Sequence, residues 1–354
     1  MSYAIVPPYL LARIAATDAP HLARAAEAAR RTLTVPRPYR PRRATLELSV
    51  DGGHTLVAET SPAPDRTISD AKTTETLPGT KVRGEDDAAV ADGAVNQAFD
   101  GLGTTFAFYW DAYRRDSIDG RGLPLEATVH YGRKYDNAFW NGERMVFGDG
   151  DGDVFTGFTG SITVIAHELT HGVTEDAGGL DYSGQSGALN ESISDVFGAL
   201  TEQYQLGQSA DESSWLIGAG IFTPQVQGVA LRSMKAPGTA YDDDALGKDP
   251  QPATMAGYVQ TEDDNGGVHI NSGIPNHAFY LVAVALGGRA WERAGLVWYK
   301  TVTGGSLPKN ATFAQFATAT LATAAAEYGE DSKEAGAIRK AWVEVGVLAD
   351  GSGS

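Results

Sequence analysis

Residues 162–171 read ITVIAHELTH, and the chain is best understood outward from there. The run is apolar at helical spacing and carries His167, Glu168 and His171 as an H-E-x-x-H set. Side chains four apart share one helix face, so the two imidazoles can grip one ion. Glu168 is rotated by about 100° from His167 and can stand beside that ion without binding it. Catalytic zinc takes three protein ligands and leaves a position for water, so a third ligand must come from another element. Glu191, in 187–195 GALNESISD, lies twenty residues past His171, far enough for a reversing loop. Asp195 is one turn further on the same face, placed to accept the free ring N–H of a ligating histidine, His167 foremost. A metal held this way acidifies its water and polarises a carbonyl, with Glu168 as general base. His269, in the polar run 264–273 DNGGVHINSG, can offer a donor to a developing oxyanion, oriented by Asp264. The plainer reading of Glu191 and Asp195 is a solvated helix face. His130 and His277 read as structural, one on a strand and one on a helix.

A second helix is expected over about 188–206, with Leu189, Ile193, Val196, Phe197 and Leu200 as its apolar stripe. The first should end near Gly178 and Gly179. After loops at 207–214 and 236–268, helical patterns resume at 273–286, 289–303, 312–328 and 331–345. Upstream, 46–57 alternates around the turn Asp51-Gly52-Gly53. Residues 127–131 and 144–147 read as strands separated by a polar turn, 136–143 DNAFWNGE. The aromatic run 104–110 TTFAFYW is a buried helix or strand, which its pattern does not decide. The fold class is α+β: the N-terminal half is mixed with an antiparallel sheet, and helices dominate from Ile162 onward.

The chain has 354 residues, room for two globular units plus an appendage. A net charge of -17 argues against nucleic acid or anionic membrane as partners. There is no cysteine, which removes thiolate metal sites and a cysteine nucleophile. The opening residues form no usable secretory signal, because Pro7, Pro8 and Arg13 break the apolar stretch. The expectation is a cytoplasmic protein, or one secreted without a classical signal. Residues 1–43 carry eight arginines against Asp18 and Glu27, a net +6 that leaves -23 on the remainder. A basic segment on an acidic body suggests docking. Asp18 could cap a helix through 21–33 HLARAAEAARRTL with Pro20 in its first turn, followed by a stiff linker at Pro36, Pro38 and Pro41.

Taken together, TLPGT, VHYG, DNAFWNG, VFGDGDG, HELTHGVT, GALNESISDVFG, LRSM and DNGGVHINSGI resemble the thermolysin-like neutral metallopeptidases, in particular the protealysin-type branch. The motifs come in family order over nearly the whole chain. The His, His, Glu zinc set is the family's own, so that assignment is not independent of the resemblance. The resemblance implies zinc on His167, His171 and Glu191, Glu168 as base, and His269 and Tyr182 on the oxyanion. It implies supporting roles for Asp195, Asn190 and Asp264. Asn137 and Ala138 would pair with the substrate backbone, and Arg232 would bind a substrate carbonyl. A pocket of Phe155, Phe158, Val164, Ile217, Ile221 and Leu231 would favour cutting before a hydrophobic residue, with Phe158 limiting the largest ones. The run Pro7, Pro8, Tyr9, Leu10 resembles a short propeptide motif, implying that the segment covers the cleft until cut between about 44 and 59, where Leu46, Leu48, Leu56 and Val57 follow candidate bonds. The implied fold is two-lobed with the metal helix between the lobes, divided as 1–50 propeptide and linker, 51–178 N-terminal lobe with the zinc helix, and 179–354 mostly helical lobe. The partners implied are a peptide or protein substrate, the chain's own propeptide and room for a proteinaceous inhibitor, on a monomer.

The usual calcium carboxylates are largely missing: Thr163, Ser214, Leu216 and Ala219 stand at the matching positions and only Glu202 is acidic, while Val229 replaces an aspartate elsewhere. Hard cations need several oxygen ligands, so little calcium dependence is expected. Two alternatives stay open at this point. One is a catalytically silent binding module. The other is a zinc aminopeptidase, although no GAMEN-like amine-recognition strand is present.

Overall fold

The computed structural model describes residues 3–39 and 62–350. The 46–57 hairpin and the 44–59 cleavage region lie outside the described residues. The fold is organised around α4, Ile162–Asp176, whose residues from Thr163 to Thr174 are all buried. Nothing in ITVIAHELTHGVTED interrupts a helix, and the chain turns away at Gly178 and Gly179, both at positive φ. Val164, Ile165 and Leu169 sit on this helix with at most 1 % exposure. Burying each stabilises the fold by about 1.5–3 kcal/mol, which offsets the desolvation of the polar residues between them.

On one side of α4 lies a five-stranded sheet. Its strands are β1 (Arg66–Asp70), β2 (Thr80–Gly84), β3 (Leu125–Val129), β4 (Ala138–Trp140) and β5 (Met145–Phe147), in spatial order β2-β1-β3-β5-β4. The expected antiparallel sheet is corrected here. The outer pairings β1–β2 and β4–β5 are antiparallel, but β1–β3 and β3–β5 are parallel. The crossover that makes β1–β3 parallel is α3, Gly93–Tyr113, capped by Asp92 through the Ala94 and Val95 amides. That helix also settles 104–110. The 136–143 stretch is likewise not all turn, since its apolar centre forms the edge strand β4.

On the other side, α5 (Gly184–Leu206) runs along α4. Gly198 permits the close approach: a Cβ there would stand 2.8 Å from the Thr163 carbonyl oxygen and 3.6 Å from His167 Cβ. The C-terminal lobe continues through α6 (Asp264–Asn271), α7 (Gly273–Leu286), α8 (Ala294–Thr303), α9 (Phe313–Tyr328) and α10 (Lys333–Glu344). The four helical patterns read after residue 270 all appear, though the second begins five residues later than expected. A short ribbon pairs β6 (Leu216–Ile217) with β7 (Arg232–Ser233), setting Ile217 opposite Arg232.

The N-terminal segment is folded onto the body, and its apolar side chains belong to the same core. It contains α1 (Pro8–Ala15), which the sequence reading missed, and α2 (Ala23–Thr34). Asp18 is not the cap; Pro20 opens a separate 3-10 turn, Pro20–Leu22, preceded by Ala19. The expected charge docking is narrower than the arginine count implied. Among the described residues, Arg24 holds Asp153 at 2.5 and 3.0 Å, while Arg31 pairs within its own helix with Glu27.

Candidate metal centre and cleft

The two histidines of α4 present Nε2 to Nε2 at 3.1 Å, with Glu191 oxygens 3.4 Å from His167 Nε2 and 3.5 Å from His171 Nε2. Among the described residues these three form the one group of metal-ligating side chains close enough to share an ion. All three are at most 1 % exposed. His167 Nδ1 is 2.8 Å from Asp195 Oδ1, and His171 Nδ1 is 2.8 Å from Asn190 Oδ1. With each Nδ1–H donating to its oxygen, both Nε2 atoms face each other and can bind one cation between them. Glu191 Oε2 is buried without a hydrogen-bond partner, as is Glu168 Oε1. The donor set therefore fits a zinc ion, with His167, His171 and Glu191 to hold it and Glu168 beside it.

The two histidines differ in protonation. Burial pulls the His171 imidazole down to about 3, which keeps it a neutral ligand. Burial also lowers His167, but the neighbouring carboxylates of Asp195 and Glu191 outweigh that and raise it to about 9. Burial pushes Glu168 up to about 7, a value suited to taking and returning a proton near neutrality. Its Oε2 accepts from the Trp140 backbone N–H at 2.9 Å, so the edge strand fixes the carboxylate.

Asp195 ties the surroundings together. Besides His167 it accepts from Arg232 Nε and Nη2 and from Asn276 Nδ2, each at 2.8 Å. His269 stands across the cleft, 3.5 Å from Glu191 Oε2. Asp264 holds it by a 2.6 Å contact to Nδ1 and accepts its backbone N–H at 2.9 Å. The expected loop is in fact a helix start: Asn265, Gly266 and Gly267 take positive φ of 52°, 87° and 75° before α6 settles and carries His269 inward. Tyr182 Oη bonds Glu191 and lies 3.3 Å from His269 Nε2.

The structure thus brings together His167, Glu168, His171, Tyr182, Asn190, Glu191, Asp195, Asp264 and His269, as the sequence reading placed them. It also adds residues that reading missed. Ser194, 3.1 Å from His171 Nδ1, could have been found as the residue one turn past Asn190. Nothing in the sequence pointed to Asn276 or to the Trp140 amide. His130 is not on a strand: at φ 54° it bridges Asp92 and Asp149 at 2.8 Å each, away from the centre. His277 stacks on Tyr280 in α7.

The cleft is filled by the chain's own N-terminal residues. Ile5 N donates to Ala138 O at 3.2 Å, extending the edge of β4. Val6 N donates to Asn137 Oδ1 at 2.9 Å, and Asn137 Nδ2 donates to Val6 O at 3.0 Å. Arg232 Nη1 donates to Ile5 O at 3.1 Å. His269 Nε2 lies 3.2 Å from Ala4 O, and the Tyr3 ring stacks on His171 with centroids 4.2 Å apart. Ile5 is wholly buried in the core that also contains Phe155, Phe158, Val164, Ile217, Ile221 and Leu231.

Residues 42–175 match the model of the thermolysin metallopeptidase catalytic domain, and residues 178–347 that of its alpha-helical domain. The chain belongs to the thermolysin metallopeptidase family. It is 53% identical over 283 residues to an "Extracellular metalloprotease" of Pectobacterium carotovorum subsp. carotovorum, covering 80% of this chain and 81% of that one. It is 51% identical over 284 residues to "Protease PrtS" of Photorhabdus sp. (strain Az29), covering 80% and 76%. Among solved structures, the protealysin precursor of Serratia proteamaculans superposes with a TM-score of 0.87 at 49% identity, over 98% of this chain and 100% of that one. Like those thermolysin relatives, the protein is a zinc metalloendopeptidase, made as a precursor with an N-terminal propeptide. No helix among the described residues is long and apolar enough to cross a membrane.

Proposed function

We propose that the centre hydrolyses internal peptide bonds before hydrophobic residues, with each residue in the role its contacts favour. Zinc, held by His167, His171 and Glu191, would supply an acidified water and a polarised carbonyl. Glu168, its free Oε1 facing the site, takes the water's proton and passes it to the leaving nitrogen. His269, fixed by Asp264, and Tyr182 stabilise the oxyanion by hydrogen bonding. Asp195 and Asn190 orient the two ligand imidazoles. Asn137, Ala138 and Arg232 bind the extended substrate backbone.

The observation that carries this reading is the occupied cleft. A stretch of this very chain already makes the backbone contacts expected of a substrate at Asn137, Ala138 and Arg232, and its Ile5 is fully buried in the hydrophobic core to which the six pocket residues also belong. It also supports residues 1–50 as the inhibitory propeptide, anchored by α1, whose first turn holds Pro8, Tyr9 and Leu10 after Pro7, and by α2, with 51–178 and 179–354 as the two lobes. Digestion of a blocked peptide library tests the reading: cuts before Leu, Ile and Val are expected, and cuts chiefly before charged residues would overturn it.

Calcium has little part in this design. The hydroxyl of Thr163 accepts the Gly218 N–H at 2.9 Å, and Ser214 donates to Glu202 at 3.3 Å. Direct hydrogen bonds therefore brace the region, and a calcium-selective chelator should leave its melting unchanged. The protein acts as a monomer outside the cell, in keeping with the extracellular naming of its relatives, and a proteinaceous inhibitor would meet the cleft once the propeptide has left.

A further inference from the structure

We infer that the bond between Ala4 and Ile5 is itself a cleavage site, cut in cis by the centre that the segment covers. This rests on the peptidase reading above and goes further by fixing the register. Any chain lying in the cleft has one of two directions, and only one of its peptide bonds faces the chemistry. Five contacts fix both here. The Ala4 carbonyl oxygen is the one beside His269, at 3.2 Å. The Ile5 N–H, the other half of the same peptide unit, points the opposite way, to Ala138 O at 3.2 Å. The next carbonyl, that of Ile5, meets Arg232, and both polar groups of Val6 are taken by Asn137. A register one residue either way would put a different carbonyl on the oxyanion donor and break the paired bonds to Asn137.

The side chains agree with the backbone. Ile5, which follows the bond, is fully buried in apolar surroundings, and it is the type of residue the pocket favours. Tyr3, which precedes it by two positions, stacks on His171 and lies edge-on to Tyr182. The bond is thus held against the catalytic groups rather than merely near them, the condition under which an intramolecular reaction gains most.

In the step, the oxygen of water bonds to the Ala4 carbonyl carbon and the bond from that carbon to Ile5 nitrogen breaks. Glu168 takes the water's proton and delivers it to the leaving nitrogen. The products are an Ala4 carboxylate and an Ile5 amine, with no oxidant or other co-reactant. The cut removes Tyr3 and Ala4 from beside His171 and His269. It leaves Ile5 and Val6 on Asn137, Ala138 and Arg232, tethered to α1 and α2. The cleft is then open on one side and still plugged on the other, an intermediate that precedes removal of the whole segment.

The test uses the zinc-loaded full chain in water enriched in 18-oxygen, followed by intact mass and N-terminal sequencing. A species beginning at Ile5 should appear before any cut beyond Tyr39, at a rate independent of protein concentration. The released Ala4 carboxyl should carry one heavy oxygen. Glu168→Ala should form none, and Ile5→Asp should slow this cut at least ten-fold. The register has a readout apart from activity: in full-length Glu168→Ala, the Ile5 and Val6 amides should resist hydrogen exchange, with Val6 at least ten-fold faster when Asn137→Ala is added. Absence of an Ile5 terminus from a preparation that cleaves a blocked peptide overturns the inference and leaves the peptidase reading standing. So does a first new terminus elsewhere in residues 3–7, or an unprotected Ile5 amide. Failure to cleave any peptide overturns both.

Discussion

Replacing Asp195 by asparagine keeps the shape of the side chain and removes one charge, at the residue on which the metal centre converges. Asp195 accepts four 2.8 Å bonds, one from His167, two from Arg232 and one from Asn276, and is itself fully buried. An amide has one acceptor oxygen, so its NH2 must face one guanidinium N–H together with either the His167 Nδ1–H or the Asn276 amide. Arg232, 2 % exposed, then holds a buried charge with no countercharge among its hydrogen-bond partners. Removing one member of a buried pair costs about 3–5 kcal/mol, and losing the oxygen that orients a ligand histidine weakens metal binding about 10–100-fold. The assay is zinc competition against a chelator, monitored on folded protein by circular dichroism, in a Glu168→Ala background that prevents self-processing. Asp242→Asn, at an exposed carboxylate, serves as control. Asp195→Asn binding zinc within two-fold of the parent, at unchanged stability, would refute the reasoning that this carboxylate positions His167.

Two further expectations concern stability. His130 gains two carboxylate partners on folding: the bond to Asp149 is the larger cause, burial opposes it and Asp92 adds to it, so the imidazole is raised to about 9. A raised histidine contributes fully below its unfolded pKa near ~6.5 and loses the contribution as pH climbs through about 9. With both carboxylates partly exposed, screening reduces the worth to about 1–2 kcal/mol. His130→Ala should therefore lower stability at pH 6 and match the parent near pH 10, as measured by urea unfolding. Thr163→Val keeps the shape but strips the acceptor from the buried Gly218 N–H, which should cost about 1–3 kcal/mol in the same assay.

How far the sequence reached depended on distance along the chain. The metal helix was legible because four-residue spacing puts His167 and His171 on one face whatever surrounds them. Glu191 followed from its distance past His171 and Asp195 from one turn of helical spacing after it, whereas Asn190 came only with the family resemblance. The four C-terminal helices were marked by apolar stripes and flanking Gly and Pro. The direction of the central strands was not legible, because it depends on whether a crossover helix intervenes, and 104–110 is apolar enough to suit a helix or a strand. Long-range side-chain contacts were equally silent. Asn276 lies 81 residues from its partner Asp195, and the Trp140 amide is a backbone group that any residue could offer. The net charge of residues 1–43 indicated docking but not the apolar contacts that accompany it. The described part of that segment, residues 3–39, is anchored by buried Ile5, Leu10, Leu11 and Ile14 and by strand-edge pairing, with Arg24 on Asp153.

The most direct test of the central claim is metal content measured together with hydrolysis of an N-terminally blocked internal peptide, on processed wild-type protein and on its zinc-stripped form. One zinc per chain, loss of hydrolysis on stripping and its return with added zinc are the expected result. Full hydrolysis by the zinc-free protein would contradict the claim that His167, His171 and Glu191 form the catalytic metal centre.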